Sequence, residues 1–210
     1  MPPATRLICS LACPGVEAMR AAAARAVGDG ADAVEFRLDA LGAPPTDDEL
    51  RDLIAGAGVE VVVTFRPRRE GGEYDGDEDA RLAVLQRAAK LGAAFADVEH
   101  DVPPEKWPDG RIILSHHDFR GVPANLGQIA AEMERSPAAV NKLAFSATGQ
   151  EDALRALDLL RGCRKPTVAL AMGEPGALSR IAAKKFGAFC AYASPAPGAG
   201  TGSSWISIVP

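Results

Sequence analysis

No run of apolar residues in this chain approaches the roughly 18 needed to cross a bilayer, and the opening MPPATR lacks the hydrophobic region of a signal peptide. Excess positive charge is missing too: 23 Lys and Arg stand against 28 Asp and Glu, a net charge of −5. A general nucleic-acid or membrane-surface binder needs the opposite balance, so any anion recognised here must meet locally placed arginines. Cysteine is sparse: Cys9, Cys13, Cys163 and Cys190 include no CxxC pair and no disulfide-framework spacing. Cys9 and Cys13 make a CxxxC pair, but no nearby His or Cys completes a metal site, so no metal is expected. Reduced thiols in a soluble, cytoplasmic protein are the expectation. Low-complexity segments and interdomain linkers are also lacking. Residues 1–210 therefore read as a single domain, with 47% hydrophobic content to build its core.

What is present is a regular alternation of short apolar runs with stretches of helical period. Eight runs read as strands: RLICSLA, AVEFRLDAL, EVVVTFRP, AFADVEHD, RIILSHHDF, AVNKLAFSA, PTVALAMG and AFCAYASPA. Helices are expected between them at 16–30, 46–58, 77–92, 125–136, 151–163 and 176–187. Thr46 with Glu49 three residues on forms a capping-box signature, and the acids at 75–79 suit a helix start. Strand starts recur about every 25 to 30 residues, the length of one βα unit. The exception is VPPEKWPDG, too short and proline-rich for a full helix. Strands that are almost continuously apolar belong in a parallel sheet covered on both faces, and eight such units favour a closed (β/α)₈ TIM barrel. Its fourth and eighth helical units are expected to be short.

In such a barrel the chemistry lies at the C-terminal ends of the strands. Polar residues collect there: Glu35, Arg37 and Asp39 at the end of strand two, spaced by two and so expected on one face. Thr64, Arg66 and Glu70 follow strand three, and Asp97 and Glu99 end strand four. Strand five carries LSHHDFRG (114–121), in which neighbouring histidines must point to opposite faces of the pleat. Lys142 stands in AVNKLAFSA among apolar and small neighbours. A lysine so placed snorkels to solvent, pairs with Asp97 or Glu99, or sits desolvated with the depressed pKa that lets an amine attack a ketone. A histidine beside the resulting Schiff base can remove the proton from the adjacent carbon and later return it. Glu35 with Arg37 also reads as a structural ion pair, Arg180 as a solvated helix residue, Met172 as barrel-top packing, and His100 and Asp118 as loop and turn residues.

EFRLD (35–39), TFRPRREGG (64–72), ADVEHD (96–101), LSHHDF (114–119), NKLAFSA (141–147) and AMGEPGALSRIAAKKFG (171–187) together resemble type I 3-dehydroquinate dehydratase, in the right order over nearly the whole chain. The resemblance implies a (β/α)₈ barrel, a homodimer without cofactor, and dehydration of 3-dehydroquinate to 3-dehydroshikimate through a lysine imine in the shikimate pathway. It makes Lys142 the imine-forming lysine and His117 the proton-transfer group, with His116 where the family usually has an aromatic. Glu70 matches the glutamate that orients the histidine. Glu35, Arg37 and Arg66 match residues that hold the substrate's hydroxyls, Arg180 the arginine that pairs with its carboxylate, and Ser10 a serine at the first strand end.

The tail departs from the family pattern. TGSSWIS (201–207) puts Thr201 at the family's serine and Trp205 at the glutamine that would reach the carboxylate, and residues 195–205 read as a mobile lid. The rival readings are a Schiff-base aldolase barrel using the same lysine, and a catalytically weakened barrel acting as a binding domain.

Overall fold

A computed structural model describes residues 5–194 of the chain. Eight parallel strands occupy it: β1 (Arg6–Leu11), β2 (Ala33–Arg37), β3 (Glu60–Thr64), β4 (Phe95–Glu99), β5 (Ile112–Asp118), β6 (Val140–Ser146), β7 (Thr167–Met172) and β8 (Cys190–Ala193). Helices α1 (Val16–Gly28), α2 (Asp47–Gly56), α3 (Glu78–Lys90), α4 (Leu126–Arg135), α5 (Gln150–Gly162) and α6 (Ala177–Ile181) alternate with them. Consecutive strands pair from β1 to β7, and β8 returns to pair with β1, so the sheet curls into a nearly closed barrel. Among the described residues no ladder joins β7 to β8. One backbone bond, from Phe189 N–H to the Thr167 carbonyl at 2.9 Å, bridges that seam.

The period-two alternation of the strands explains how the barrel is filled. Ile8, Ala33, Val62, Phe95, Ile113, Val140, Val168 and Cys190, one from each strand, make an apolar floor. Two residues further along, on the same face, stand Ser10, Glu35, Thr64, Asp97, Ser115 and Lys142, with Leu170 and Tyr192 on β7 and β8. The barrel therefore changes from apolar to polar within one step of the pleat, toward the C-terminal ends of the strands. The other face of each strand packs under the helices: Val34, Phe36, Val61, Val63, Val98 and Leu114 meet Met19, Leu50, Leu53, Leu85 and Met133. Phe145, Ala169 and Ala171 meet Ala156, Leu157 and Leu160 of α5.

Local signals hold up well. Thr46 Oγ1 accepts from Glu49 N–H while Glu49 accepts from Thr46 N–H, which is the expected capping box of α2. Asp77 caps α3 by accepting from Ala80 N–H at 2.8 Å. The connection from β4 to β5 holds only a 3₁₀ turn at Pro104–Lys106, so the fourth unit is short as expected. Residues 195–210, and with them the expected eighth helical segment and the expected lid, lie outside the described residues.

Two segments differ from expectation. Strand β2 stops at Arg37, and a 3₁₀ turn at Leu38–Ala40 takes Asp39 off the strand. There Asp39 accepts from Arg37 Nε at 2.8 Å and from the backbone N–H groups of Arg66 and Glu73, ties that a strand position would not allow. The expected helix at 176–187 splits into α6 and a 3₁₀ turn at Ala183–Phe186. The first of these is drawn against the end of β7. Gly176 lies so close that a Cβ would meet the Ala171 carbonyl oxygen at 2.1 Å, and Ser179 Oγ accepts from Ala171 N–H.

Candidate active site

A cavity of about 310 Å³ opens over the polar end of the barrel. Ser10, Glu35, Arg37, Arg66, Glu70, His117 and Lys142 all line it, together with Glu73, Phe119, Met172 and Tyr192. Seven of the nine expected site residues thus line one cavity. Arg180 does not line it, and Thr201 and Trp205 lie outside the described residues.

Lys142 is buried near the middle of β6, and its Nζ does not snorkel: it lies 3.0 Å from Asp97 Oδ2 and 3.4 Å from Glu35 Oε1. The ring of Tyr192 faces the same nitrogen at 4.4 Å from its centroid, a cation–π contact. Of the two acids considered as partners of this lysine, Asp97 takes the role, while Glu99 is occupied elsewhere. Glu35 has further partners in Ser10 Oγ and in Thr64 Oγ1 at 2.8 Å. Burial opposes charge on Glu35, but Lys142 and Arg37 prevail and its carboxyl is held below the usual glutamate range. Asp97 is fully buried; Arg66 and Lys142 outweigh that burial and hold it well below the ordinary aspartate value.

Arg66 is the hub of the polar layer. Its guanidinium donates to Glu99 Oε1 at 2.7 Å, to Ser115 Oγ at 2.6 Å and to Asp97 Oδ1 at 2.8 Å. Arg81, fully buried on α3, backs this arrangement: its Nη2 lies 2.6 Å from Glu99 Oε2, and its Nη1 donates to the Phe65 carbonyl at 2.8 Å. Arg37 does not pair with Glu35 as one reading of the sequence had it; it is held bidentately by Asp39, at 2.8 and 2.6 Å.

The pairing of β5 with β6 sets Ser115 opposite Lys142 and His117 opposite Ala144. His117 therefore stands two residues beyond the lysine's level, on the same inward face of the neighbouring strand. Glu70 reaches it from the 3₁₀ turn Arg68–Glu70 that follows β3. One oxygen, Oε2, accepts from His117 N–H at 2.8 Å and contacts Nδ1 at 2.9 Å. Nε2 has no hydrogen-bond partner among the described residues. Gly71 ends the turn in the left-handed region (φ 77°), and Phe119 occupies the space its Cβ would need, at 2.1 Å. The Phe119 ring in turn lies nearly parallel to the His117 imidazole, 13° apart with centroids at 6.3 Å.

Burial, reinforced by Arg66 and Lys142, holds the His117 imidazole well below its usual pKa, although Asp97 opposes the shift. Burial also pushes the Glu70 carboxyl up to about 7, against Arg66 and the His117 N–H. The pair therefore shares a proton near neutrality, and Glu70 is the group that takes it up as pH falls.

The family model for type I 3-dehydroquinase matches residues 7–206. The chain belongs to the type I 3-dehydroquinase family. It is 36% identical over 203 residues to a 3-dehydroquinate dehydratase of Methanopyrus kandleri, covering 90% of this chain and 89% of that one. It is 35% identical over 173 residues to the chloroplastic bifunctional 3-dehydroquinate dehydratase/shikimate dehydrogenase of Arabidopsis thaliana, covering 78% of this chain but only 29% of that protein. The fold matches the crystal structure of a type I 3-dehydroquinate dehydratase from Clostridium difficile with a TM-score of 0.85 and 19% identity, over 97% of this chain and 88% of that one.

Within this type I dehydroquinase barrel, Arg180 is buried, not solvated. It donates to the carbonyls of Ala171 at 2.9 Å and Gly173 at 3.3 Å, and its Nε–H is without a partner among the described residues. Sequence reading passed over Ser115, Tyr192 and Arg81. The first two were within reach, since Ser115 is in phase with His117 and Tyr192 with Cys190 on their strands. Arg81 carries no local signal, being one arginine on an otherwise ordinary amphipathic helix.

Proposed function

We propose that this chain is a 3-dehydroquinate dehydratase that works through a lysine imine. The observation that carries the reading is Lys142, buried among carboxylates inside the barrel of a chain of this family, with the His117–Glu70 pair one step above it. Attack of the Lys142 amine on the C3 ketone of 3-dehydroquinate gives a carbinolamine; the proton that the lysine gives up goes to the carbinolamine hydroxyl, which leaves as water, and an iminium ion remains. The iminium acidifies C2, and Nε2 of His117 takes that proton while Nδ1 is held by Glu70. Collapse of the enamine breaks the C1–O bond, and the proton on His117 goes to the departing hydroxyl, which leaves as water. Hydrolysis of the imine then releases 3-dehydroshikimate and the free amine. Glu35, Arg37 and Arg66 are proposed to hold the substrate's hydroxyls, with Ser10 steadying Glu35. Arg180 and Thr201 are proposed for the carboxylate, a role that guanidinium geometry suits.

No metal ion or cofactor has a part in this scheme, and the same proposal includes a homodimer, a cytoplasmic location and a place in the shikimate pathway. Among the described residues no helix is long and apolar enough to cross a membrane. Incubation of the pure protein with 3-dehydroquinate tests the reading directly: the conjugated enone of 3-dehydroshikimate should accumulate. Products of C–C cleavage would mean an aldolase instead, and unchanged substrate a binding domain.

The raised Glu70 predicts the pH profile. Below about pH 7 Glu70 becomes protonated and donates to His117 Nδ1, which leaves a proton on Nε2 and removes the base. The value of kcat/KM should therefore fall as pH drops through about 7. In Glu70→Gln that limb should disappear, and a new one should emerge at lower pH, where His117 itself is protonated. A limb still at its original place in the variant would assign it to another group.

A further inference from the structure

We propose that His116 is a positioning residue for the Glu70–His117 pair: the two adjacent histidines of β5 straddle one carboxylate, and His116 favours its ionised, base-supporting form. The pleat alone should send His116 away from the site. Glu70, however, arrives over the top of the sheet and presents a different oxygen to each ring. Oε2 lies 2.9 Å from His117 Nδ1, and Oε1 lies 3.8 Å from His116 Nδ1. His116 is half-buried, and the ring of His100 meets it edge-on at 6.1 Å with an interplanar angle of 84°. His100 Nε2 in turn lies 3.6 Å from Glu132 Oε2 on α4. All three histidines of the chain thus form a line from the outer helix layer to the cavity.

The groups around this line are few and named. Burial, helped by His100, holds the His116 imidazole below its usual pKa, although Asp118 and Asp101 oppose the shift. Asp101 is itself engaged by Arg69, with Nε to Oδ2 at 2.7 Å. Glu70 feels Arg66 on one side and Glu99 and Asp101 on the other. Because Glu70 is poised near neutrality, a small bias decides whether it faces His117 as a carboxylate or as an acid. An N–H carried on Nδ1 of the neutral His116 ring, 3.8 Å from Oε1, supplies that bias in favour of the carboxylate as a dipole.

The inference rests on His117 being the acid–base group, and its test does not need turnover. With three histidines in the chain, the imidazole resonances of His117 can be followed by NMR through a pH titration of the free protein. His116→Phe keeps the ring bulk and removes the donor; His116→Asn keeps an N–H close to the position of Nδ1. The inflection that Glu70 imposes on His117 should move upward by roughly half a pH unit or more in His116→Phe, about threefold in the protonation constant, and much less in His116→Asn. The acid limb of kcat/KM should follow by the same amount, with kcat on the alkaline plateau unchanged. An inflection that stays put in His116→Phe, or moves equally in both variants, overturns the proposal. Wild-type protein that leaves 3-dehydroquinate unchanged would sink the functional reading alone, and the NMR titration would still decide the role of His116.

Discussion

Replacing Lys142 with alanine should reduce turnover of 3-dehydroquinate by on the order of 10⁵ or more, because loss of the nucleophile removes the covalent route as a whole. The same residue should be the one labelled when borohydride reduces the mixture of protein and substrate. A peptide carrying Lys142 should gain the mass of the reduced ligand, and labelling at Lys90 or Lys165 would refute the assignment. The contrast between these lysines is physical. Lys142 Nζ is enclosed with Asp97 and Glu35 beside the cavity, whereas Lys165 Nζ donates to the Met133 carbonyl at 3.3 Å near the opposite end of the barrel and Lys90 is exposed. The alanine variant carries a structural cost as well. Removing one partner from a buried charge cluster leaves Asp97 and Glu35 short of a cation, a loss on the order of 3–5 kcal/mol. A thermal melt of the variant should therefore show a lowered midpoint, and the labelling of unaltered protein separates chemistry from stability.

The second large effect is expected at His117. His117→Ala should lower kcat by about 10²–10⁴, the range for one acid–base group. Imine formation does not depend on this imidazole, so borohydride should still trap ligand on Lys142 in the variant. Exchange of the C2 proton with solvent should be lost together with dehydration. A variant that exchanged that proton at the normal rate would need a different base, and His117 would then be left with the leaving hydroxyl alone. His116→Ala should cost far less at alkaline pH, since its contact with the reaction runs only through Glu70. Equal losses at both histidines on the alkaline plateau would mean that β5 is turned by one residue relative to the pairing of Ser115 with Lys142.

Much of this site was legible in the strands. Ala33, Glu35 and Arg37 on β2, and Ile113, Ser115 and His117 on β5, each repeat at a spacing of two, so their common face follows from the pleat alone. The spacing failed where the chain left the strand. Asp39 continues the count from Glu35 and Arg37, yet the 3₁₀ turn carries it off the strand and folds its carboxylate back onto Arg37. Glu70 is a similar case from the other direction. It belongs to no strand, and the left-handed Gly71 with Phe119 packed against it sets where its carboxylate ends up. Arg180 was assigned by resemblance to the carboxylate, while its guanidinium is engaged by the backbone at the end of β7.

The sequence by itself determined the eight strands, the short fourth unit and the polar residues gathered at the strand ends. Each of these follows from periodicity and capping, which act over a few neighbouring residues. Only the tertiary structure decided the partners: Arg37 with Asp39, Lys142 with Asp97, Glu99 with both Arg66 and Arg81, and Glu70 between two histidines. Those pairings join groups brought together by the register of neighbouring strands and the path of the loops over their ends. In a buried layer crowded with acids and bases, which carboxylate meets which cation is settled by ångström-scale placement, because each charge must find a partner once water is excluded.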